Sequence, residues 1–329
     1  MAKTTIHCKF SANLVHFQPM LRQSTNTVLM VTPDHFGFNS QTAETNPFMH
    51  TPDEIHKNTT QVQESAMKEF KHMISVLCQH EINVLVLPSP ENVRTPDAVF
   101  PNNWFSHHSN GTLVLYPMLM PNRRAERQKE NMVGLLEANN IKVSEIVDLT
   151  NLEENDVILE STGSMVLDRE QHVAFAMASP RTMQESFEAW CKTMGYEGVY
   201  IVTPKSHRLE VYHTNLLMSI GTKFSVVCFE VIEDGEKTDQ LKQKLEDLHK
   251  DVIAITLEQV YAFCGNILEV QSTSGEKKII MSEGARDAFT KEQLDRLTKY
   301  GEIVAVPIPT IEKIGGGGVR CMMAEVFPE

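Results

Sequence analysis

The sequence is short of basic residues and has no closely spaced cysteine pair. Its 329 residues include 30 Lys and Arg against 43 Asp and Glu, which gives a net charge of −13 at pH 7. A chain this acidic lacks the basic face that nucleic-acid binding usually requires. The six cysteines are scattered without a CxxC pair, so neither a disulfide framework nor a zinc site is predicted. Together with 17 methionines, this pattern indicates a reduced cytoplasmic protein.

Long hydrophobic runs and nucleotide-binding motifs are also missing. No apolar run reaches the roughly 18 residues that a membrane helix needs. The N-terminal stretch MAKTTIHCKFSANLVHF lacks the continuous apolar core of a signal peptide. No GxGxxG follows a predicted strand, and no GxxxxGKS or GxxxxGKT occurs, so nucleotide-binding motifs are absent. We therefore expect no membrane partner and no nucleotide cofactor.

Short runs rich in β-branched residues recur along the chain and alternate with amphipathic segments. Nine runs have the length and composition of strands: TVLMV, INVLVLP, TLVLYPM, HVAFAM, NLLMSIG, FSVVCFEVI, VIAIT, KKIIMS and EIVAVPI. Three polar segments have helical periodicity: TQVQESAMKEFKHMISVLCQH, KTDQLKQKLEDLHK and TKEQLDRLTKY. The chain is therefore predicted to be an α/β protein.

A larger repeat is visible in three of these stretches. Each runs from a short strand through a turn to an arginine and a helix: TLVLYPMLMPNRRAERQKENMVGLLEANN, HVAFAMASPRTMQESFEAWCKTMG and KKIIMSEGARDAFTKEQLDRLTKYG. Units of roughly 60 residues would give about five of them, which favours a pseudo-symmetric array. A doubly wound α/β fold would also alternate, so alternation alone leaves both open. We expect one domain over residues 1–329, with residues 1–25 as an N-terminal extension.

The stretch GGGGVRCMM places Cys321 directly after four glycines. Glycine turns admit positive φ and close backbone approach, so a purely structural turn is one interpretation. Exposed backbone N–H groups next to a cysteine can also stabilise a thiolate or an oxyanion. Cys321 is therefore a candidate nucleophile.

A carboxylate and a histidine stand next to apolar strands and are candidates for proton transfer. In VILESTGSMVLDR, Glu160 ends an apolar run and meets a small-residue turn. Burial there would raise its pKa unless a cation is close, so it suits a general acid or a guanidinium partner. In LEVYHTNLLMSIG, His213 precedes a strand and could act as acid or base. A surface strand end and a core histidine are the structural alternatives.

Three further stretches are rich in polar and charged side chains. TPDAVFPNNWFS carries Asp97 and Asn103 between aromatic residues, which is typical of a pocket loop or of an Asx turn before a core tryptophan. SPRTMQES carries Arg181 at a predicted helix start, and NRRAER carries Arg123 and Arg124. Such arginines could hold a substrate carboxylate bidentately, or could be solvated helix charges.

The order of these motifs along the chain resembles the guanidine-group-modifying superfamily, which includes arginine deiminase, the amidinotransferases and dimethylarginine dimethylaminohydrolase. The resemblance extends from about Pro33 to the C-terminus, through FPNNW, ESTGSMVLDR, SPRT, HTN and GGGGVRCM. It is closest to the arginine-deiminase-related branch of citrulline-utilisation hydrolases. The resemblance implies a five-bladed α/β propeller of ββαβ units around a central site, and a mechanism without metal or other cofactor.

The resemblance also assigns roles to residues of this chain. Cys321 is implied as the nucleophile that attacks the central carbon of a guanidinium or ureido group, and His213 as the acid/base. Glu160 is implied to bind substrate nitrogens and to move protons. Arg181 corresponds to the arginine that holds a carboxylate. Either Arg123 or Arg124 lies where a second arginine is usual.

Two departures from the family pattern bear on the substrate. Asn103 stands where relatives have an aspartate, and an amide both donates and accepts hydrogen bonds, unlike a carboxylate. It therefore favours citrulline, or arginine followed by its ureido product. Ser164 stands where relatives place an acidic residue, and Asp168 follows as a candidate contact. Asp97 and Asn39, the latter in TPDHFGFNSQTAETNPF, complete the predicted substrate contacts.

The leading hypothesis is a hydrolase of linear amidine or ureido C–N bonds that converts citrulline or arginine to ornithine and ammonia through a covalent cysteine adduct. Its partner is a small amino acid. Dimers are common among relatives, which is compatible with a homodimer. The alternatives are an amidinotransferase that uses an acceptor amine, an arginine deiminase or methylarginine hydrolase, and a non-enzymatic domain that binds an arginine-like ligand.

Overall fold

A computed structural model describes residues 22–202 and 212–328 of the chain. Cys8, the N-terminal stretch and the beginning of LEVYHTNLLMSIG lie outside these residues. The described chain contains five three-stranded sheets. Their strands are β1 (Thr27–Val31), β2 (Asn83–Leu87), β3 (Phe105–His107), β4 (Thr112–Leu115), β5 (Glu145–Asp148), β6 (Met165–Asp168), β7 (Val173–Met177), β8 (Glu197–Ile201), β9 (Met218–Ile220), β10 (Phe224–Val227), β11 (Asp251–Ala254), β12 (Leu268–Gln271), β13 (Lys277–Ser282), β14 (Glu302–Val306) and β15 (Ala324–Val326).

Eleven α-helices connect the strands in the described chain. They are α1 (Ser40–Ala43), α2 (Thr59–Gln79), α3 (Pro121–Arg124), α4 (Lys129–Ala138), α5 (Ser161–Ser164), α6 (Gln184–Met194), α7 (Gly235–Asp247), α8 (Leu257–Tyr261), α9 (Glu283–Ala288), α10 (Lys291–Leu297) and α11 (Pro309–Gly315). Short 3₁₀ turns at Pro101–Asn103, Thr150–Asn155, Thr214–Leu216 and Phe229–Val231 complete the elements.

All five sheets have the same internal pattern. The first strand of each sheet pairs antiparallel with the second, and the second pairs parallel with the third. A parallel pair needs a crossover connection, which a helix supplies in each unit. The predicted ββαβ repeat is therefore confirmed, and the predicted five-bladed propeller has its five blades.

One blade is assembled from both ends of the chain. β15 pairs antiparallel with β1, with Thr27 opposite Val326, and β1 pairs parallel with β2. This arrangement closes the array, because the last strand supplies the first position of the first blade. Gln23 and Thr25, which precede β1 in the chain, are already buried.

The first strands of the blades lie together at the centre of the molecule. β15 contacts β3, β6 contacts β9, and β9 contacts β12. Each of these inner strands is preceded by a tight turn or a short 3₁₀ or α-helical segment, and the segments before β3, β6 and β9 contact one another. The residues just before the inner strands are therefore brought together from five distant parts of the sequence.

The long helix α2 supports the glycine-rich segment. Its buried residues recur at helical spacing along one face: Val62, Ala66, Phe70, Met73 and Leu77. This face belongs to the same hydrophobic cluster as Ile311 and Ile314 of α11. Glu69 of α2 also accepts hydrogen bonds from the backbone N–H groups of Thr310 and Ile311, which have no partner within α11. In residues 22–202 and 212–328, none of the helices has the length and apolar character of a membrane span.

Candidate active site

The residues that precede the inner strands meet at the centre of the molecule, beside one small cavity. The empty space between the lining atoms, with the adjoining open solvent included, is about 240 Å³. It is lined by Thr42, Asn46, Asp97, Phe100, Asn103, Arg123, Arg181, Tyr212, His213, Gly315, Gly317 and Cys321. The structure thus brings Cys321 and His213 to the same cavity, together with most of the predicted substrate contacts.

His213 and Glu160 form a buried hydrogen-bonded pair behind the cavity wall. His213 Nε2 lies 2.7 Å from Glu160 Oε2, and both residues are buried. An ionised carboxylate can only accept hydrogen bonds, so the proton of the pair lies on Nε2. The other ring nitrogen, Nδ1, is directed towards Gly163 and keeps a lone pair.

Neighbouring charges keep Glu160 ionised in spite of its burial. Burial alone would raise its pKa, but the Arg181 guanidinium, 3.6 Å away, and the hydrogen bond from His213 lower that pKa to about 2. The backbone N–H of Leu119 donates to Glu160 Oε1 at 3.0 Å. Burial lowers the pKa of His213 to about 4, although Glu160 opposes this effect. The free site therefore holds a carboxylate and a neutral imidazole at pH 7, and the imidazole can accept a proton.

Cys321 lies in the turn between α11 and β15, and two side-chain amides contact its sulfur. Asn266 Nδ2 lies 3.3 Å and Asn215 Nδ2 lies 3.6 Å from Cys321 Sγ. Burial raises the pKa of the thiol, and the Asn266 amide, Arg320 and the Asn215 amide partly oppose this increase. In the free protein Cys321 is thus mainly a thiol, next to donors that would stabilise its thiolate form.

At two of the four positions before Cys321, the structure shows why the residue is glycine. Gly316 ends α11 with φ +62, in the left-handed region that glycine adopts without strain. A Cβ on Gly318 would lie 2.6 Å from Asn266 Oδ1, which is too close for ordinary contact. The glycine-rich turn is therefore a structural device that also fixes the surroundings of the thiol.

Asp97 lies at the cavity with one of its carboxylate oxygens unpartnered. Asp97 Oδ2 accepts hydrogen bonds from Asn39 Nδ2 and Thr42 Oγ1, each at 2.7 Å. Asp97 Oδ1 is buried without a hydrogen-bond partner in the described chain. Asn39 is itself held by Asn122, which donates to Asn39 Oδ1 at 2.7 Å. Asn39 therefore positions Asp97 and does not line the cavity.

Arg123 holds Asn103 in one orientation. Arg123 ion-pairs with Glu126 at 2.9 Å, and its Nη1 donates to Asn103 Oδ1 at 3.0 Å. A guanidinium can only donate, so the amide oxygen must point towards Arg123 and the amide nitrogen must point away from it. Asn103 Nδ2 lies beside Gly163 and His213 and is buried without an acceptor in the described chain. Asn103 therefore has its donor beside His213, while its acceptor oxygen faces Arg123.

The Arg181 guanidinium is already partly occupied by contacts within the protein. Its Nη2 donates to Thr42 O at 3.2 Å and to Thr45 Oγ1 at 2.7 Å, and its guanidinium lies 4.8 Å from the centre of the Tyr212 ring. Its Nε is buried without an acceptor in the residues described. Arg181 precedes α6 by three residues and is not at the helix start that the sequence indicates.

Arg124 and Asp168, both predicted as substrate contacts, do not lie at this cavity. Arg124 is partly exposed, donates to Met118 O at 2.9 Å and lies 3.4 Å from Glu153. Adjacent residues of a helix point in different directions, so only Arg123 of the pair points inwards. Asp168 is buried in an ion pair with Lys250 at 2.8 Å. It lies in β6, beyond the turn that carries Glu160.

Sequence reasoning missed five residues of this site: Thr42, Asn46, Tyr212, Asn215 and Asn266. A signal for two of them exists in the repeat. Asn215 stands three residues before β9 and Asn266 two before β12, as Cys321 stands three before β15 and Asn103 two before β3. An alignment of the five units would therefore have placed Asn215 and Asn266 at the centre. Thr42, Asn46 and Tyr212 have no comparable position.

Several solved structures have the same fold. The N-terminal domain of ArgZ, an arginine dihydrolase from the ornithine–ammonia cycle in cyanobacteria, bound to substrate, has a TM-score of 0.70 and 17% identity, over 92% of this chain and 98% of that one. Unliganded AgrE has a TM-score of 0.70 and 18% identity, over 92% of this chain and 39% of that one. DDAH from Pseudomonas aeruginosa, in complex with citrulline, has a TM-score of 0.64 and 18% identity, over 93% and 99%. These matches confirm the predicted propeller fold.

Sequence comparison identifies the family. No curated protein sequence matches the chain. The family model described as N,N dimethylarginine dimethylhydrolase, eukaryotic, matches residues 32–328, which is nearly the whole chain. The match confirms the predicted superfamily and, with it, the predicted class of enzyme, a hydrolase of C–N bonds in linear amidines. The chain therefore belongs to the eukaryotic N,N dimethylarginine dimethylhydrolase family.

Proposed function

We propose that this protein hydrolyses the ureido C–N bonds of citrulline to give ornithine, ammonia and carbon dioxide, and that arginine enters the same site as a precursor of citrulline. The proposal is supported by three buried polar atoms that belong to residues lining one cavity. Asp97 Oδ1, Asn103 Nδ2 and Arg181 Nε have no hydrogen-bond partner in the described chain. Buried polar atoms are rarely left unpaired, so a bound ligand is a natural partner for each of them.

The three atoms match the polar groups of a ureido amino acid. Arg181 Nε is an N–H donor of a positively charged guanidinium, so it suits the α-carboxylate of the substrate. Asp97 Oδ1 is an anionic acceptor, which suits an ammonium or an N–H group. Asn103 Nδ2 is a donor beside His213, which suits the ureido oxygen. A guanidinium has no acceptor for Asn103, so the ureido group fits this position better.

The reaction begins with attack of Cys321 Sγ on the ureido carbon. Neutral His213 takes the thiol proton at Nδ1, and Glu160, paired with Nε2, stabilises the imidazolium that forms. The leaving nitrogen takes that proton from His213 as its bond to carbon breaks, and an S-acyl adduct remains. Water then gives a proton to His213 and adds to the adduct carbon, which releases the thiol. The resulting carbamate loses carbon dioxide, so citrulline and one water molecule yield ornithine, ammonia and carbon dioxide.

The relatives are consistent with this substrate class. ArgZ is described as an arginine dihydrolase, one of its structures contains a covalently bound reaction intermediate, and DDAH from Pseudomonas aeruginosa binds citrulline. The family model favours a second candidate substrate, dimethylarginine. Its guanidinium would place N–H or N-methyl groups against Asn103 Nδ2, which lacks an acceptor there. We therefore rank dimethylarginine below citrulline.

A substrate panel tests the proposal. The protein is incubated with citrulline, arginine, dimethylarginine and agmatine, and ornithine, citrulline, ammonia and dimethylamine are quantified. The proposal predicts ornithine from citrulline without any added amine. Dimethylamine as the main product would favour the methylarginine hydrolase, and turnover that requires an acceptor amine would favour the amidinotransferase. No turnover of citrulline would contradict the proposal.

A further inference from the structure

Asn266 is held in a single orientation beside the cysteine. Its Oδ1 accepts a hydrogen bond from Arg320 N at 3.1 Å, and its Nδ2 donates to Asn215 O at 3.0 Å. A backbone N–H can only donate and a carbonyl can only accept, so these two contacts fix which atom is nitrogen. The second hydrogen of Asn266 Nδ2 is then available to Cys321 Sγ, 3.3 Å away.

We propose that Asn266, assisted by Asn215, is a catalytic donor that stabilises the Cys321 thiolate, so that the cysteine is activated without the positive charge of a guanidinium. This inference rests on the proposed function in taking Cys321 as the nucleophile. It deepens that function, because a thiolate stabilised by protein amides suits a neutral ureido substrate. A site that depends on the charge of its substrate would act only on cations.

The described contacts of the sulfur support this role. Asn266 and Asn215 are the side chains of the described chain that donate hydrogen bonds to Cys321 Sγ. A hydrogen bond to a charged acceptor is roughly twice as strong as one between neutral groups. Both amides are buried, each with 1% of its surface exposed, so water does not compete with them. The thiol itself makes only a longer contact, as a donor to Asn215 Oδ1 at 4.0 Å, so the shorter amide contacts favour the thiolate over the thiol.

Other charged and titratable groups also surround the sulfur. Arg320 lowers the pKa of Cys321, but it is paired with Glu325 at 2.7 Å and donates to Met323 O. The remaining groups at or behind the cavity are Asp97, Arg123, Glu160, Arg181, Tyr212 and His213. Opposite charges among them are paired with each other: Arg181 with Glu160, and Arg123 with Asp97. Arg123 also pairs with Glu126. Asn266 and Asn215 are the groups that approach the sulfur itself.

The glycine before Val319 provides independent support. A Cβ on Gly318 would lie 2.6 Å from Asn266 Oδ1, so an alanine there would displace the amide without removing it. The absence of a side chain at this position is thus required for the contact between Arg320 N and Asn266. The same turn that presents Cys321 also holds its donor.

The test measures the pH dependence of Cys321 alkylation by iodoacetamide in the free protein, with peptide mass spectrometry to identify the modified cysteine. The variants are Asn266→Ala, Asn266→Asp, Asn215→Ala and Gly318→Ala. Gln259→Ala is the control for a buried amide of the same blade, since Gln259 bonds to Ala288 and Gln293. Gly134→Ala is the control for an added methyl group, because nothing lies within 4 Å of its Cβ position.

The proposal predicts alkylation at pH 7 slower by about tenfold in Asn266→Ala, with the midpoint of the profile at higher pH and the same rate at the high-pH plateau. Asn266→Asp should be slower still, and Gly318→Ala should shift in the same direction. Both controls should keep the wild-type profile. An unchanged midpoint in Asn266→Ala and Asn266→Asp would overturn the proposal, as would a slower plateau alone, which indicates altered access. Failure of the proposed function is separate, because it would appear as no turnover of citrulline by the wild-type protein, whereas the alkylation profiles would still show whether Asn266 stabilises the thiolate.

Discussion

His213 Nε2 and Glu160 Oε2 lie 2.7 Å apart in a buried hydrogen bond that joins two blades of the propeller. The pair fixes the tautomer of the histidine and leaves Nδ1, which lies close to Gly163, without a proton. Arg181 Nη1, 3.6 Å from the same carboxylate oxygen, keeps the carboxylate charged. This geometry holds a neutral imidazole beside the cavity at pH 7, as the proposed general base requires.

Replacement of Glu160 by glutamine tests the tautomer. The Gln amide could donate to His213 Nε2 and would move the ring proton to Nδ1, where the base is needed. We expect kcat to fall by about 10² to 10⁴-fold, as measured by steady-state release of ornithine or ammonia. Glu130→Gln, on an exposed face of α4, is the matched control. Wild-type kcat in Glu160→Gln would show that the pair has no part in proton transfer.

The same pair should make the protein less stable in mild acid. The pKa of His213 is about 4 in the folded protein against an ordinary value of 6.5, so the unfolded chain binds more protons between these values. The free energy of unfolding should therefore fall as pH falls from about 6.5 to about 4. Urea unfolding over this range should show a smaller slope in His213→Gln than in the wild type. Equal slopes would contradict a neutral buried His213.

Glu160 contributes to the pH dependence of stability in a separate, lower pH range. Its folded pKa is about 2 against an ordinary value of 4.5, so its stabilising effect is present above 4.5 and is lost as pH falls towards 2. The difference in unfolding free energy between the wild type and Glu160→Gln should therefore be constant above about pH 6.5, where neither Glu160 nor His213 titrates, and should shrink below pH 4.5. A difference that does not change with pH would count against the ionised carboxylate.

Gly163 should tolerate no side chain. A Cβ there would lie 2.2 Å from Asn103 Nδ2 and 2.9 Å from His213 Cε1. We expect Gly163→Ala to lose most of its activity, at least tenfold in kcat/KM, because a small displacement of catalytic groups is costly. Gly134→Ala, a helix position with open space, should retain full activity. Equal activity of the two variants would contradict the packing described at His213.

Most strands could be predicted from the sequence, but not all of them. The nine predicted runs all contain observed strands, because β1, β7 and β13, for example, are continuous buried runs. The short inner strands β3 and β15 were not predicted, because three residues such as Phe105–His107 are too few to show a periodic pattern. β8 escaped because its sequence, EGVYI, is partly exposed and begins with polar residues.

The candidate catalytic residues could be predicted from the order of the motifs, whereas the contacts that support them could not. Cys321, His213 and Asn103 stand in recognisable stretches and do line the cavity. The sequence could not show which of Arg123 and Arg124 points into the site. In the structure Arg123 points inwards, where its Nε donates to Glu126. The contact between Asn266 and Cys321 spans 55 residues and depends on how neighbouring blades are placed.

Asn103 should control the choice between ureido and guanidino substrates. Asn103→Asp keeps the acceptor that faces Arg123 and replaces the unpartnered donor by an anionic acceptor. We expect kcat/KM for citrulline to fall by about tenfold or more, while the ratio of arginine to citrulline turnover rises, because a guanidinium would then have a partner. Competition assays with both substrates give this ratio directly. An unchanged ratio would contradict the assignment of Asn103 Nδ2 to the ureido oxygen.

In the proposed reaction, the sulfur of Cys321 forms a covalent bond with the carbon of the substrate. Acid quenching during turnover of citrulline, followed by peptide mass spectrometry, tests it most directly. We predict an acyl adduct on the peptide that contains Cys321, and neither adduct nor ornithine in a folded Cys321→Ala variant. Production of ornithine by Cys321→Ala at the wild-type rate would contradict the account.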